Sequence, residues 1–493
     1  MNYETIIGLE VHAELLTASK LWCGCSTAFG NEPNTQVCPI CLGLPGTLPV
    51  LNEKAVEYAV KAGLALGCRI AEWSRFDRKQ YFYPDLPKAY QISQYDLPLC
   101  REGRVVITVD GLSREVGILR VHLEEEAGKL VHSGESLHGS EYSLVDYNRG
   151  GIPLIEIVTA PDLRSPEEAR IFLERLRTVL RYIGVSDCKM EEGSLRCDAN
   201  VNLRIKDEEG EYRTPIVEIK NLNSFRAVER ALTYEVRRQV DEFMEKGRPP
   251  AGTDLSRTKV TAGWNEALGR TYVQRQKELA DDYRYFPDPD LPPVVLSSEQ
   301  VEKWRAELPE LPEEKESRFR REYGLPAYDA AVLTASRAVA DLFEETARLT
   351  GDAKMVSNWV MGEVFRLLKG AGDDLEQALR HCSITPAALA ELLLFVKNER
   401  INANSGKEVL EEMYRTGKAA TQIIAEKGLE QISGRDQLAG LVAEVIAAHP
   451  GVVEDIKNGK KAAIGFLVGQ VMKATKGKAN PKLVNELITQ SLS

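Results

Sequence analysis

Four of the nine cysteines fall in one short segment, as Cys23-Gly-Cys25 and Cys38-Pro-Ile-Cys41. A C-x-C and a C-x-x-C separated by twelve residues come close to zinc-ribbon spacing, in which paired thiolates converge on one tetrahedral ion. A redox C-x-x-C would need one pair and a helix starting at it, whereas Pro39 and the Gly43-Leu44-Pro45-Gly46 that follows make a loop. Four thiolates also leave no open coordination position, so a site of this kind fastens the chain and catalysis has to be sought elsewhere. Cys68, Cys100, Cys188, Cys197 and Cys382 are isolated and read as small buried residues.

The carboxylates are where to look. Alternation along IIGLEVHAEL places Glu10, His12 and Glu14 on one strand face and Leu9, Val11 and Ala13 on the other. HLEEEAGK supplies Glu124, Glu125 and Glu126, PLIEIV puts Glu156 inside an apolar strand, and MEEGSLRCDAN and VEIKNLN add Glu191, Glu192, Asp198 and Glu218. Any one of these acids is ordinarily solvated or salt-bridged. An acid flanked by Ile and Val on a strand is costly unless paired or holding a cation, and the recurrence on strands of one sheet favours the cation. Oxygen ligands with at most one imidazole suit magnesium or manganese rather than zinc. The chain contains no P-loop, no G-x-S-x-G, no serine-lysine amidase pattern and no Rossmann fingerprint. Phosphoryl transfer without a P-loop is still permitted, because the metal neutralises phosphate charge and positioning does the rest. Residues 77–95, DRKQYFYPDLPKAYQISQY, set five aromatics among Lys, Arg and Gln, which favours a surface for a planar anionic ligand over a bare loop.

Strands must carry most of these groups. RVVITV, Asp110-Gly111 and SREVGILRVHL read as a hairpin. SLRCDANVNLRI alternates strictly and TPIVEIKNL returns beside it, so a sheet with one buried and one polar face is expected. Helices are expected over 165–184, opened by Ser165-Pro166-Glu167-Glu168, and over 224–247, closed by Gly247. PDPDLPP ends this region near 293, and the pattern beyond is helical. The expected fold class is α+β: a mixed or antiparallel sheet domain over 1–293 with a zinc-ribbon-like insertion, a helical region over 294–405 and a small helical tail over 406–493.

Across 493 residues, 43% hydrophobic and 28% charged, the chain has the composition of an ordinary globular protein. No basic-then-apolar leader opens it and no run approaches the roughly 20 apolar residues that span a bilayer, so a cytoplasmic protein with reduced thiols is expected. The net charge of −11 argues against nonspecific coating of nucleic acid. Residues 456–482 nevertheless hold seven lysines and no acid, a local basic patch in an acidic chain.

GLEVHAEL, the cysteine segment with its GLPGTLPVLN, FDRKQYFYPDLPKAYQISQYDLP, HLEEEAGKL, SLVDYNRGGIPLIEIV, MEEGSLRCDANVNLR, VEIKNLNSF and DYRYFPDPDLPP closely resemble the GatB family, the B subunits of the bacterial glutamyl/aspartyl-tRNA amidotransferases. AAIGFLVGQVMKATKGKANPKLVNELI resembles that family's tail, so the likeness spans nearly the whole chain; it departs at Ala89, where glycine is common, at Asn202, where serine is common, and more loosely over 249–275. The resemblance implies an ATP- and Mg2+-dependent ligase that phosphorylates the side-chain carboxylate of mischarged Glu-tRNA(Gln) or Asp-tRNA(Asn). Ammonia from a partner amidase subunit would then displace phosphate, and a small third subunit would complete a heterotrimer. By position in the matching motifs, it implies Glu10, His12, Glu124, Glu125, Glu156, Asp198 and Glu218 around the metal and reacting groups, with Glu10, His12 and Glu125 as magnesium ligands. Lys79, Tyr81, Lys88, Gln91 and Arg149 would contact nucleotide or acceptor end; Cys23, Cys25, Cys38 and Cys41 would hold structural Zn2+; Lys460, Lys461, Lys473, Lys476 and Lys478 would meet tRNA phosphates.

Two other classes compete. A noncatalytic zinc-ribbon RNA-binding protein accounts for cysteines and lysines but leaves the strand-borne acids unexplained. A two-metal hydrolase would use the same acids, work without ATP and cleave RNA.

Overall fold

The computed structural model describes residues 2–133, 142–208, 210–247, 255, 258–276, 283–369, 375–431, 435–457, 460–475 and 479–492. Strand β1 (Asn2–Glu14) alternates between half-buried and buried positions from Glu4 onward, as its sequence requires. It lies at the middle of a ten-stranded sheet formed with β2 (Arg69–Ile70), β3 (Cys100–Val109), β4 (Leu112–Glu125), β5 (Pro153–Thr159), β6 (Leu195–Asp207), β7 (Gly210–Arg213), β8 (Ile216–Lys220), β9 (Lys259–Asn265) and β10 (Arg270–Gln276). The order is β10-β9-β8-β6-β1-β5-β4-β3-β2, with β7 paired to β6. All pairings are antiparallel except β8 with β9, so the sheet is mixed.

The expected hairpin is β3–β4, turned by Asp110 at φ 50° and Gly111 at φ 79°. Two left-handed residues in succession match the right-handed twist of the flanking strands. One sheet face is apolar: Ile7, Leu9, Val11 and Ala13 of β1 are buried with Val121, Leu123, Ile155, Ile157, Leu195, Cys197, Ala199 and Val201. Helices α1 (Glu53–Ala65), α2 (Pro166–Tyr182) and α3 (Phe225–Lys246) supply buried residues to the same core. Both expected helices start at serine caps, with Ser165 accepting from the Glu168 amide and Ser224 from the Ala227 amide. The second stops at Gly247, whose φ is 71°.

A buried acid joins α3 to the sheet. Glu235 is fully buried and accepts from the Arg238 guanidinium, from Gln239 Nε2 at 3.1 Å and from Thr271 Oγ1 of β10 at 2.9 Å. Glu235→Ala should cost about 1–3 kcal/mol, because it deprives the buried Gln239 amide of an acceptor and removes the α3–β10 link, while Arg238 keeps Glu242 at 2.7 Å. A urea-unfolding midpoint measures this, and Glu229→Ala on the same helix serves as the milder comparison.

The chain divides into two compact units, Met1–Leu311 and Pro312–Ser493. The break expected at 293 therefore falls later, because helix α4 (Ser298–Ala306) still buries Trp304 in the first core. The break expected near 405 falls inside α5 (Ala403–Thr416), which buries Val409, Leu410 and Met413 in a second core extending from Phe319 to Ile424. A third, smaller core begins at Leu438 and is completed by Leu467, Val471, Val484 and Ile488. No single helix among the described residues is long and apolar enough to cross a membrane.

Candidate active site on the polar sheet face

Register places the functional groups. Across β6, β1, β5 and β4, Arg196 pairs with His12, His12 with Glu156, and Glu156 with His122; Glu124 stands one pleat along, opposite Leu154. Directly paired residues share a face, so these side chains converge on the side away from the apolar core. His12 Nε2 lies 3.3 Å from Glu156 and 3.5 Å from Glu124, and His122 Nε2 lies 3.5 Å and 3.6 Å from the same two acids. Ser93 Oγ donates to Glu124 at 3.1 Å, and Arg120 approaches Glu156 at 3.8 Å.

Burial by itself disfavours charge on His12, but the hydrogen bond to Glu156 and the charges of Glu156 and Glu124 outweigh it and raise its pKa to about 9. The same burial opposes ionisation of Glu156, and there His122 and His12 win, holding the carboxyl well below its usual range. Glu124 is lowered too, against burial, chiefly by its hydrogen bond with His122. Glu14, farther along β1, goes the other way: burial and the neighbouring Glu126 push it up to about 7. The sign for His12 is plain. A folded pKa near 9 against 6.5 gives stability that is full below pH 6.5 and lost as pH rises through 9, on the order of 3 kcal/mol for this shift. In magnesium-free buffer the melting temperature of the wild type should therefore fall between pH 6.5 and 9.5, and His12→Asn should flatten that fall.

Of the expected site residues, His12, Glu124 and Glu156 are brought together, their ligand atoms mutually within 4.8 Å. The expected magnesium trio Glu10, His12 and Glu125 is not. Glu125 is adjacent to Glu124 on the strand and so points the opposite way, where Lys88 Nζ meets both its oxygens at 2.6 Å and the Ile92 amide donates at 2.8 Å. Glu10 accepts from Asn200 at 3.0 Å and has Lys259 at 3.8 Å. It belongs with Asp198, paired to Lys220, and with the fully buried Glu218, 3.6 Å from Lys259, in a second polar patch on β1, β6, β8 and β9.

The groups expected to meet nucleotide are dispersed. Lys88 is held by Glu125, Gln91 is buried and donates to the Glu125 carbonyl at 2.8 Å, and Arg149 donates to the carbonyls of Ala127 and Gly128 at 3.1 and 2.9 Å. Lys79 and Tyr81 do border the acid cluster. Lys79 Nζ lies 5.1 Å from the Tyr283 ring centre and 5.8 Å from that of Tyr81, and it helps to hold down the Glu156 pKa. Tyr285 stacks on Tyr95 with centroids 4.3 Å apart and contacts Tyr283 edge-on. Burial and the charge of Glu124 raise the phenol pKa of both Tyr81 and Tyr285, which marks a tyrosine wall beside the acids. Ala89 adopts φ 62°, the left-handed conformation that favours glycine.

His122, Ser93, Arg120, Arg196, Tyr283 and Tyr285 are absent from the expected set. His122 had a usable sign, two residues before Glu124 and hence on its face. The others depend on pairings between distant segments.

Two observations bear on what the clusters could hold. His122 Nδ1, Arg120 Nε, Arg196 Nε and Asn200 Oδ1 are buried on this face without a hydrogen-bond partner among the described residues, as befits a site that receives a polar ligand. The Sγ atoms of Cys23, Cys25, Cys38 and Cys41 lie within 4.8 Å of one another, and the Cys38 amide donates to Cys41 Sγ at 3.1 Å. Cys41 is drawn down to about 4, first by a hydrogen bond from Cys23, against burial, with the Cys38 amide and the Lys20 charge helping.

A catalytic domain is also what comparison with known proteins finds, since residues 5–302 match the family described as GatB/GatE catalytic domain and residues 341–492 match that described as GatB domain. The chain is 55% identical over 493 residues to the B subunit of the aspartyl/glutamyl-tRNA(Asn/Gln) amidotransferase of Thermoanaerobacter sp. (strain X514), covering 100% of both chains. It is 55% identical over 492 residues to the protein of the same name from Moorella thermoacetica (strain ATCC 39073 / JCM 9320), again 100% of both. It is 53% identical over 492 residues to that of Carboxydothermus hydrogenoformans (strain ATCC BAA-161 / DSM 6008 / Z-2901), covering 100% of this chain and 99% of the relative. The chain belongs to the GatB family of amidotransferase B subunits.

Proposed function

We propose that the polar sheet face activates a carboxylate for amide formation on tRNA. ATP transfers its terminal phosphoryl group to the side-chain carboxylate of Glu-tRNA(Gln) or Asp-tRNA(Asn). Ammonia then attacks the acyl phosphate, phosphate leaves, and Gln-tRNA(Gln) or Asn-tRNA(Asn) results. The observation that supports this reading most directly is the His12–His122–Glu124–Glu156 cluster within the segment that matches a catalytic domain.

His12, Glu124 and Glu156 fit a magnesium ion, two hard carboxylates with one imidazole within 4.8 Å. When bound, it would offset the negative charge that accumulates as nucleotide and carboxylate approach. To hold the ion His12 would have to be neutral at its ligating nitrogen, so the cluster would trade the proton's single positive charge for the two of Mg2+. Lys79, between the tyrosine wall and Glu156, would meet an anionic substrate group, and the faces of Tyr283 and Tyr285 would take a planar base. The four cysteines would hold a structural zinc ion, with no ligand position left for the chemistry.

With no amidase pattern in the chain, ammonia would come from a partner amidase subunit, with a small third subunit in the assembly and a cytoplasmic setting. The basic C-terminal segment would bind tRNA phosphates. Within it, Lys473 is exposed and Lys460 pairs with Asp455 at 2.9 Å; Lys476, Lys478 and the Lys461 side chain lie outside the described residues.

The test combines chain, partner subunits, mischarged tRNA and ATP. With the amidase omitted, ammonium should support amidation and glutamine should not. Amidation without ATP, or tRNA cleavage in place of amidation, would overturn the reading.

A further inference from the structure

The cysteine site has a charged neighbour that the chemistry above does not use. Lys20 is 0% exposed, and a buried ammonium is costly without a counter-charge. Its Nζ donates to the Tyr147 carbonyl at 3.0 Å and to Cys41 Sγ at 3.7 Å. Among the described residues no carboxylate stands within 4.0 Å of it.

The residue is wedged rather than merely covered. Its backbone N–H donates to the Cys25 carbonyl at 2.9 Å, and the next amide, Leu21, donates to Gly151 at 2.8 Å. Gly151 has φ 88°, and a Cβ there would fall 3.4 Å from Lys20 Cδ and 3.7 Å from Cys41 Cβ. The ammonium is thus delivered between the thiol cluster and the 147–151 turn, beside a small cavity that Cys23, Cys41 and Glu125 also line.

We propose that Lys20 is the built-in counter-ion of the four-cysteine site: its ammonium offsets part of the dianion that one Zn2+ and four thiolates make, through an N–H···S bond to Cys41. The proposal rests on the zinc reading and explains why a lysine is buried there. Four neutral thiols would leave the ammonium with one carbonyl dipole, and a disulfide would remove its anionic partner. The same side chain fastens the metal loop to the turn that precedes β5, the strand of Glu156.

Zinc affinity of the full-length chain, measured by competition with a chromophoric chelator, tests this. Wild type should bind one zinc, and Lys20→Met should bind it about 10–100-fold more weakly, the usual loss when a metal ligand's outer partner is removed. Circular dichroism reports whether the variant is folded. If it is not, Lys20→Arg, which keeps the charge, and Lys20→Gln, which removes it, give the comparison, with the weaker binding expected only for Gln. Equal zinc affinity in wild type and Lys20→Met, or equal losses in the Arg and Gln variants, would overturn the counter-ion role while leaving zinc binding intact. A wild type that takes up no zinc would instead overturn the zinc reading beneath it.

Discussion

Glu156→Gln should reduce amidation by at least about 10²–10³-fold, the scale of losing a single preorganised electrostatic group in an active site, while tRNA binding persists. The substitution keeps volume and shape, so the sheet is not disturbed. It removes the charge that both His12 and His122 approach, at 3.3 and 3.5 Å, and with it one carboxylate of the proposed magnesium site. Single-turnover amidation with ammonium and ATP, beside a filter-binding measurement on the same mischarged tRNA, separates the two effects. Glu191→Gln, an exposed acid outside the cluster, should change neither. Glu125→Gln is the sharper comparison: it breaks a pair with Lys88 on the opposite side and should leave the magnesium dependence of the rate unchanged. Near-normal turnover in Glu156→Gln would remove this face from the chemistry.

Removal of one thiolate has the second large effect. Cys41→Ser should weaken zinc by more than the about 10–100-fold expected for an outer partner, because a first ligand is gone. Cys41 is also the sulfur nearest the buried Lys20 and the acceptor of the Cys38 amide. Its loss therefore leaves an ammonium buried against a neutral hydroxyl and loosens residues 23–41. Limited proteolysis should cut within that loop in Cys41→Ser and in chelator-treated wild type, while the sheet core stays intact. Turnover should fall less than in Glu156→Gln, since no thiol is among the groups that converge with His12, Glu124 and Glu156. Protease resistance in the zinc-stripped protein would show that the loop holds itself.

Much of this was readable from local pattern. Period-two alternation in β1 and β6 separates the dry from the polar face, the Asp110-Gly111 pair marks the hairpin, and Ser165 and Ser224 mark helix starts. The four cysteines announce themselves by spacing. Three consecutive glutamates do not say which of them faces His12 and Glu156; parity against β5 places Glu124 there and turns Glu125 toward Lys88. Arg120 and Arg196 enter through pairings between segments far apart in sequence, and Tyr285 enters through stacking on Tyr95. Such placements come from tertiary register, which no local window contains. The expected break near 405 lies at the head of α5, whose polar residues read as a linker while one face of the helix is anchored in the second core.

Strand β1 carries a wider consequence. Hydrogen-bonded along both edges, it supplies hydrophobic contacts and chemical groups at alternate steps of one ribbon. Loss or gain of a single codon in its gene segment would turn His12 into the oil and Val11 toward the substrate, so stability and catalysis should vanish together. Evolution can then adjust this enzyme's centre by exchanging letters, but hardly by changing their number.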